Sequence, residues 1–119
     1  MSFSEETLCD LINWGWGRMN REQKLLWETI RLLPQEWKLV SYGTCWVVGV
    51  IGPKVIYYNH YEHGFNWSSW SKFGIIDHYQ SLQWELDEAI QHQLDIIRIG
   101  YDVGPRSSPP VPGVYTPPR

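Results

Sequence analysis

The chain predicts an α+β domain: an antiparallel meander sheet of four or five strands, packed by two N-terminal helices and one long C-terminal helix. Three observations carry that expectation. Apolar residues recur at helical spacing before residue 34 and again after residue 81. Between those points the period changes to two. The middle segments are short, rich in Val, Ile, Trp and Tyr, and punctuated by Gly and Pro. A length of 119 residues suits one domain, read as residues 1–102 with a Pro-rich tail over 103–119.

In chain order, Ser2-x-x-Glu5 reads as a capping box with acidic residues at a helix N-terminus. Leu8, Leu11 and Ile12 continue it, so a first helix is expected from about Ser4 to Trp14, broken by Gly15 and Gly17. Asn20, with Gln23 three residues on, opens a second. Its expected stripe is Leu25, Leu26, Ile30 and Leu33, flanked by Trp27, and Pro34 stops it because a proline nitrogen cannot donate.

From Trp37 onward Trp37, Leu39 and Ser41 alternate with Lys38, Val40 and Tyr42, and Gly43 marks a turn. Cys45 to Ile51 is a nearly continuous apolar run, as a central strand covered on both faces requires. Gly52-Pro53 turns the chain into Lys54–Asn59, and Phe65–Trp70 and Gly74–His78 supply the last strands. Ser81 is expected to cap the closing helix. Leu82, Leu86, Ala89, Ile90, Gln93, Leu94 and Ile97 form its buried stripe, Gly100 its C-cap, and Glu85, Asp87, Glu88 and Asp95 an acidic exposed side offset only by Arg98. The tail holds six of the eight prolines, so it is expected to lie extended over the domain or to be disordered. It could also dock in an aromatic groove, in cis or on a neighbour.

Composition narrows the function. A net charge of −3 and a pI of about 5.7 disfavour general nucleic-acid binding, which needs clustered Lys and Arg. No segment approaches the ~20 apolar residues of a membrane span. MSFSEETLCD has no basic region followed by an apolar run, so no secretory signal is expected and the compartment is read as cytoplasmic. Cys9 and Cys45 are then expected as buried reduced thiols. Charged residues make up only 19% of the chain, below the ~25% of ordinary soluble domains, which points to a protein partner or a homodimer.

Seven of the eighteen aromatic residues lie between Tyr57 and Phe73, and three of the four histidines between His60 and His78. Each large ring covers ~150–250 Å² and carries a polar tip when it is Tyr or Trp, so a small core cannot hide them all. His60-x-x-His63 with Asp77-His78 is the best metal candidate. In a strand, residues three apart point to opposite faces, so His60 and His63 converge only if Tyr61-Glu62 forms a turn, and no metal or other cofactor is expected. Neither cysteine has a nucleophile's surroundings, and Glu85, Asp87 and Glu88 read as a solvated helix face or a surface for a basic partner. Trp67 and Trp70 lie on opposite faces of a strand, so one ring belongs to the core and the other is free. No enzyme is expected. The expected partner surface is Tyr58, Tyr61, Glu62, His63, Trp67, Trp70, Glu85, Asp87 and Glu88, since aromatic rings dominate interface hot spots. The alternative is an aromatic-faced module for small molecules or carbohydrate.

The block from Trp46 to Ile97 resembles small bacterial proteins of the toxin-immunity type. A strand ending in Tyr58-Asn59 leads into the turn Glu62-His63-Gly64-Phe65-Asn66, a short aromatic strand, and a helix containing LDEAI. The resemblance implies a cytoplasmic, non-enzymatic protein that binds and blocks a cognate toxin. It brings no fixed functional residues.

Overall fold

The computed structural model describes residues 4–100; Ser2 and the Pro-rich tail lie outside the described residues. The elements run α1 (Glu5–Arg18), α2 (Arg21–Ile30), β1 (Arg31–Leu39), β2 (Gly43–Ile51), β3 (Lys54–Asn59), β4 (Gly64–Ser69), β5 (Ile75–Ile76) and α3 (Leu86–Ile99). The sheet order is β4-β3-β2-β1-β5. The first four strands form the expected antiparallel meander. The fifth corrects the expectation, because β5 runs parallel to β1 and the sheet is mixed.

That parallel strand follows from a crossover. After β4 the chain passes to the far edge of the sheet, where the Lys38 N–H donates to Gly74 O at 2.8 Å and the Val40 N–H to Ile76 O at 3.3 Å. The same segment stays tied to β4: the Asp77 N–H donates to Ser69 O at 3.3 Å and the His78 N–H to Ser68 Oγ at 3.0 Å. Linking both edges curls the sheet on itself, so it has an inner and an outer face.

Each face holds a core. The inner one contains Trp37, Leu39, Cys45, Val47, Tyr57 and Ile76; the outer one sets Val48, Ile56 and Phe65 against Leu8, Trp27, Leu86 and Ile90 of the helices. β2 is therefore covered on both sides, as its unbroken apolar run predicts. A register shift between Val47 and Gly49 changes its phase. Trp46 and Val48 face the helices, but two residues later Val50 faces inward.

The helices depart from expectation in instructive ways. The N-cap of α1 is Ser4, whose Oγ accepts the Thr7 N–H at 3.2 Å. The helix then continues through Gly15 and Gly17 to Arg18. Gly15 is buried, and a Cβ there would lie 2.7 Å from Leu86 Cβ on α3. This glycine is a contact point between helices, not a breaker. Nothing lies within 4 Å of a Cβ at Gly17. The two positions should therefore respond oppositely to alanine. Gly17→Ala should raise stability by up to ~1 kcal/mol, the helix-propensity gain. Gly15→Ala should lower it by ~1–3 kcal/mol, because overpacking against Leu86 outweighs the same gain. Chemical denaturation of the two variants checks the signs.

The Asn20/Gln23 capping box of α2 is present in both directions, at 2.8 and 2.9 Å. The helix ends at Ile30, before Pro34, because residues from Arg31 join the strand paired with β2. Pro34 sits where the β1 register shifts between Arg31 and Gln35, a place that tolerates a missing N–H. The buried face is Gln23, Trp27 and Ile30. Leu25 is 58% exposed and Leu33 84% exposed, so Trp27 replaces them as the anchor.

The closing helix starts at Leu86, not after Ser81, and its 14 residues equal those of α1. Residues before it are held extended along β4, where the Phe65 N–H donates to Trp84 O at 2.9 Å. Glu85 is the N-cap, and its N–H donates to Glu88 Oε1 at 2.8 Å. Gly100 ends the helix in the left-handed region, φ 86°, as its composition predicts. Leu86, Ala89, Ile90 and Gln93 are buried as expected; Leu94 is only partly buried and Ile97 is exposed.

Candidate partner-binding surface

The curled sheet has two ends, and the aromatic residues divide between them. At one end are the β1–β2 and β3–β4 hairpins. There the Tyr42 and Tyr79 rings stack at 4.2 Å between centroids. The Tyr61 hydroxyl donates to Tyr42 O at 2.7 Å, and the Tyr79 hydroxyl to Glu62 Oε2 at 2.6 Å. That bond to a carboxylate raises the Tyr79 pKa and keeps the phenol protonated. The β3–β4 turn owes its form to Asn59, whose Oδ1 accepts the Tyr61 N–H at 2.9 Å, and to His63, which takes a left-handed φ of 61°. Tyr61 and His63 are exposed.

At the other end Trp70 donates its Nε1–H to Gly52 O at 3.0 Å, beside the β2–β3 turn. Its ring meets Trp37 at 5.5 Å and Phe73 at 6.5 Å, and Phe73 is 71% exposed. Trp70 is partly buried against the inner core and not the free ring expected of it.

Two of the nine expected surface residues lie in the outer core. Tyr58 packs edge-on to Phe65 at 4.9 Å. Trp67 donates its Nε1–H to Ala89 O at 2.9 Å, with Lys54 Nζ 5.4 Å from its ring centroid. Both side chains are spent on packing. Burial, aided by the charge of Glu85, raises the Tyr58 pKa.

The remaining six fall on adjoining elements. Tyr61, Glu62 and His63 are on the β3–β4 turn; Glu85, Asp87 and Glu88 begin α3. The two elements are linked through residues 82–84, which lie directly against the start of β4. Asn66, fully buried, accepts the Leu82 N–H at 3.0 Å and donates to Leu82 O at 3.0 Å. Asn59, also fully buried, donates to Gln80 O at 2.8 Å, and the Tyr57 hydroxyl donates to His78 O and accepts the Gln80 N–H. Sequence reasoning missed these asparagines. Their signal was their residue type: Asn is depleted in strands, and two of them flanked by large aromatics imply a specific hydrogen-bonding task.

The acidic side of α3 is less uniform than its pattern suggests. Asp87 is nearly buried and lies 3.4 Å from Arg18 Nε, so α1 supplies a second offsetting cation. Glu88 is exposed, while Glu85 and Asp95 are partly covered. Alongside runs a groove of about 330 Å³ between α2 and α3, lined by Gln23, Trp84, Asp87, Glu88, His92 and Asp95, among others. Gln23 Nε2 donates to Gln91 Oε1 across it at 2.9 Å.

The cysteines separate. Cys45 is buried in the inner core, where desolvation pushes its pKa up to about 11; Cys9 is exposed, contrary to expectation. His60 is lowered by burial and favours the neutral imidazole. Among the described residues no three or more His, Cys, Asp or Glu side chains converge to hold a metal ion, and no helix is long and apolar enough to cross a membrane.

Compared with known protein families, with curated protein sequences and with solved structures, the chain has no significant match.

Proposed function

We propose that this chain is a non-enzymatic protein-binding domain of the toxin-immunity kind, engaging a basic partner through the tyrosine-rich end and the first turn of α3. The observation that supports this reading is the Phe65–Trp84 hydrogen bond, which holds the strand that follows the Tyr61–His63 turn against the residue that precedes Glu85 and the first turn of α3. An exposed ring beside carboxylates suits a cationic protein surface. Charge steers the encounter and the ring slows departure.

The test is co-purification with the product of the adjacent gene, followed by binding kinetics. Glu88→Gln removes a charge but leaves an oxygen for the Glu85 N–H. It should slow association and weaken its dependence on salt. Tyr61→Ala should accelerate dissociation at least about tenfold, roughly 1.4 kcal/mol, with little change in association. Equal effects of both variants on the two rates would contradict this division of labour.

A second reading, a module that stacks a sugar or another flat ligand, draws on Phe73. Its ring is 71% exposed and backed by Trp37 at 5.0 Å. Failure of any neighbouring gene product to bind, together with a saturable fluorescence change abolished by Phe73→Ala, would select this reading instead.

A further inference from the structure

A second groove, of about 420 Å³, is lined by Trp16 of α1 and by Arg21, Lys24, Leu25 and Glu28 of α2. It lies on the side of α2 opposite the buried Gln23, Trp27 and Ile30. Leu25 stands 58% exposed at its edge. We propose that this surface is half of an interface between two copies of the chain, in which α2 packs antiparallel on the partner's α2 about a two-fold axis beside Leu25.

Three observations support a second copy as the occupant. The first is spacing. Arg21, Leu25 and Glu28 stand at i, i+4 and i+7, so they form one stripe along α2. Arg21 and Glu28 lie symmetrically about a point between Lys24 and Leu25. An antiparallel pairing centred there sets Arg21 against the partner's Glu28 and Glu28 against the partner's Arg21. One patch thus carries both halves of a self-complementary contact, as a two-fold interface requires. The second is the availability of those charges. Arg21 is exposed and makes no ion pair with another described residue. Glu28 Oε2 lies 3.5 Å from Arg31 in a half-exposed pair, which leaves Oε1 for a second cation. The surplus positive charge, Lys24, is turned onto Trp16 with Nζ 4.8 Å from the ring centroid, so it offers its apolar stem at the axis and not its ammonium. The third is shape. The two-fold that pairs the charges also lays the partner's Leu25 over the groove beside Trp16, giving an apolar centre within a charged rim. With only 10 residues, α2 is about 15 Å long, so the contact is small and the dimer weak.

This inference is independent of the partner-binding reading and can fail without it. The test is sedimentation equilibrium of the full 119-residue chain. A monomer–dimer equilibrium is expected, half complete near about 0.1 mM and weakened by salt. Leu25→Ser, Arg21→Glu and Glu28→Arg should each raise the dissociation constant at least about tenfold. All three side chains are exposed, so the fold should stand. The deciding arm mixes Arg21→Glu with Glu28→Arg. Neither variant should pair with itself. The mixture should form a heterodimer about as tight as the unaltered homodimer, because each charge across the axis again faces its opposite, and that recovery also shows both variants to be folded. A chain that stays monomeric up to about 1 mM would overturn the proposal. So would a dimer indifferent to Leu25→Ser and Arg21→Glu, or a mixture that fails to associate. Species that keep growing beyond the dimer would overturn the two-fold pairing and indicate a head-to-tail contact instead.

Discussion

Gly64→Ala should be among the most damaging single substitutions in this protein, costing at least about 3 kcal/mol or preventing folding, beyond the usual range for overpacking. The new Cβ would lie 2.1 Å from Leu82 O and 2.6 Å from Gln83 Cα. Those are backbone atoms, pinned by Asn66 and by the Phe65–Trp84 hydrogen bond, so they have no rotamer through which to retreat. The strand residue would have to leave β3, or residues 82–84 would have to leave β4. Denaturant titration of the variant, or its failure to accumulate as soluble protein, checks this. A loss below about 0.5 kcal/mol, typical of a surface change, would mean that residues 82–84 do not lie against Gly64.

Trp67→Ala should cost ~3–5 kcal/mol, the range for a truncated core tryptophan. The ring packs between β4 and α3, and the Ala89 carbonyl satisfies its buried N–H. Trp67→Phe separates the contributions. It retains most of the apolar body and removes only the added hydrogen bond to a carbonyl inside α3, a loss of ~0.5–1.5 kcal/mol. If Trp67→Ala instead left the midpoint of thermal unfolding unchanged, the ring would be a surface group. A functional role for it at an interface would then return.

The contrast between Trp67 and Trp70 shows what the chain reveals before folding. Strand alternation correctly separates the two rings onto opposite faces, but alternation carries no information on what covers each face. The inner face is closed by the crossover through β5. That segment pairs with β1 over only two register positions, too short to imprint a pattern, and its parallel direction is a tertiary result. The meander was legible because each strand is bounded by its own turn chemistry. Gly15 was misread because its helix-breaking tendency is local, whereas its use, admitting Leu86, depends on a residue 71 positions away. Trp27 outweighs Leu25 in the core because α2 buries the face of Gln23, Trp27 and Ile30 against α3 and the sheet, a face the leucine spacing does not select. For the surface, the acidic residues of the closing helix and the turn before Gly64 were legible, but not that Glu85 begins that helix or that Asp87 is buried. The link between the two elements was not, because it depends on Asn59 and Asn66 anchoring residues 80–82.

Those anchors also order events in time. The meander hairpins join residues close in sequence, so their loop closure is inexpensive. The contacts that complete the fold are distant: Arg18 with Asp87 and Gln23 with Gln91 are 69 and 68 residues apart. Such long closures carry a large entropic cost until the sheet on which the helices rest has formed. The joining of α3 to α1 and α2 is therefore expected as a late step of folding and an early one of unfolding. Weakening it at Gly15 should leave the folding rate nearly intact and shorten the lifetime of the folded state, so the persistence of this protein would follow how long α3 stays joined to α1 and α2.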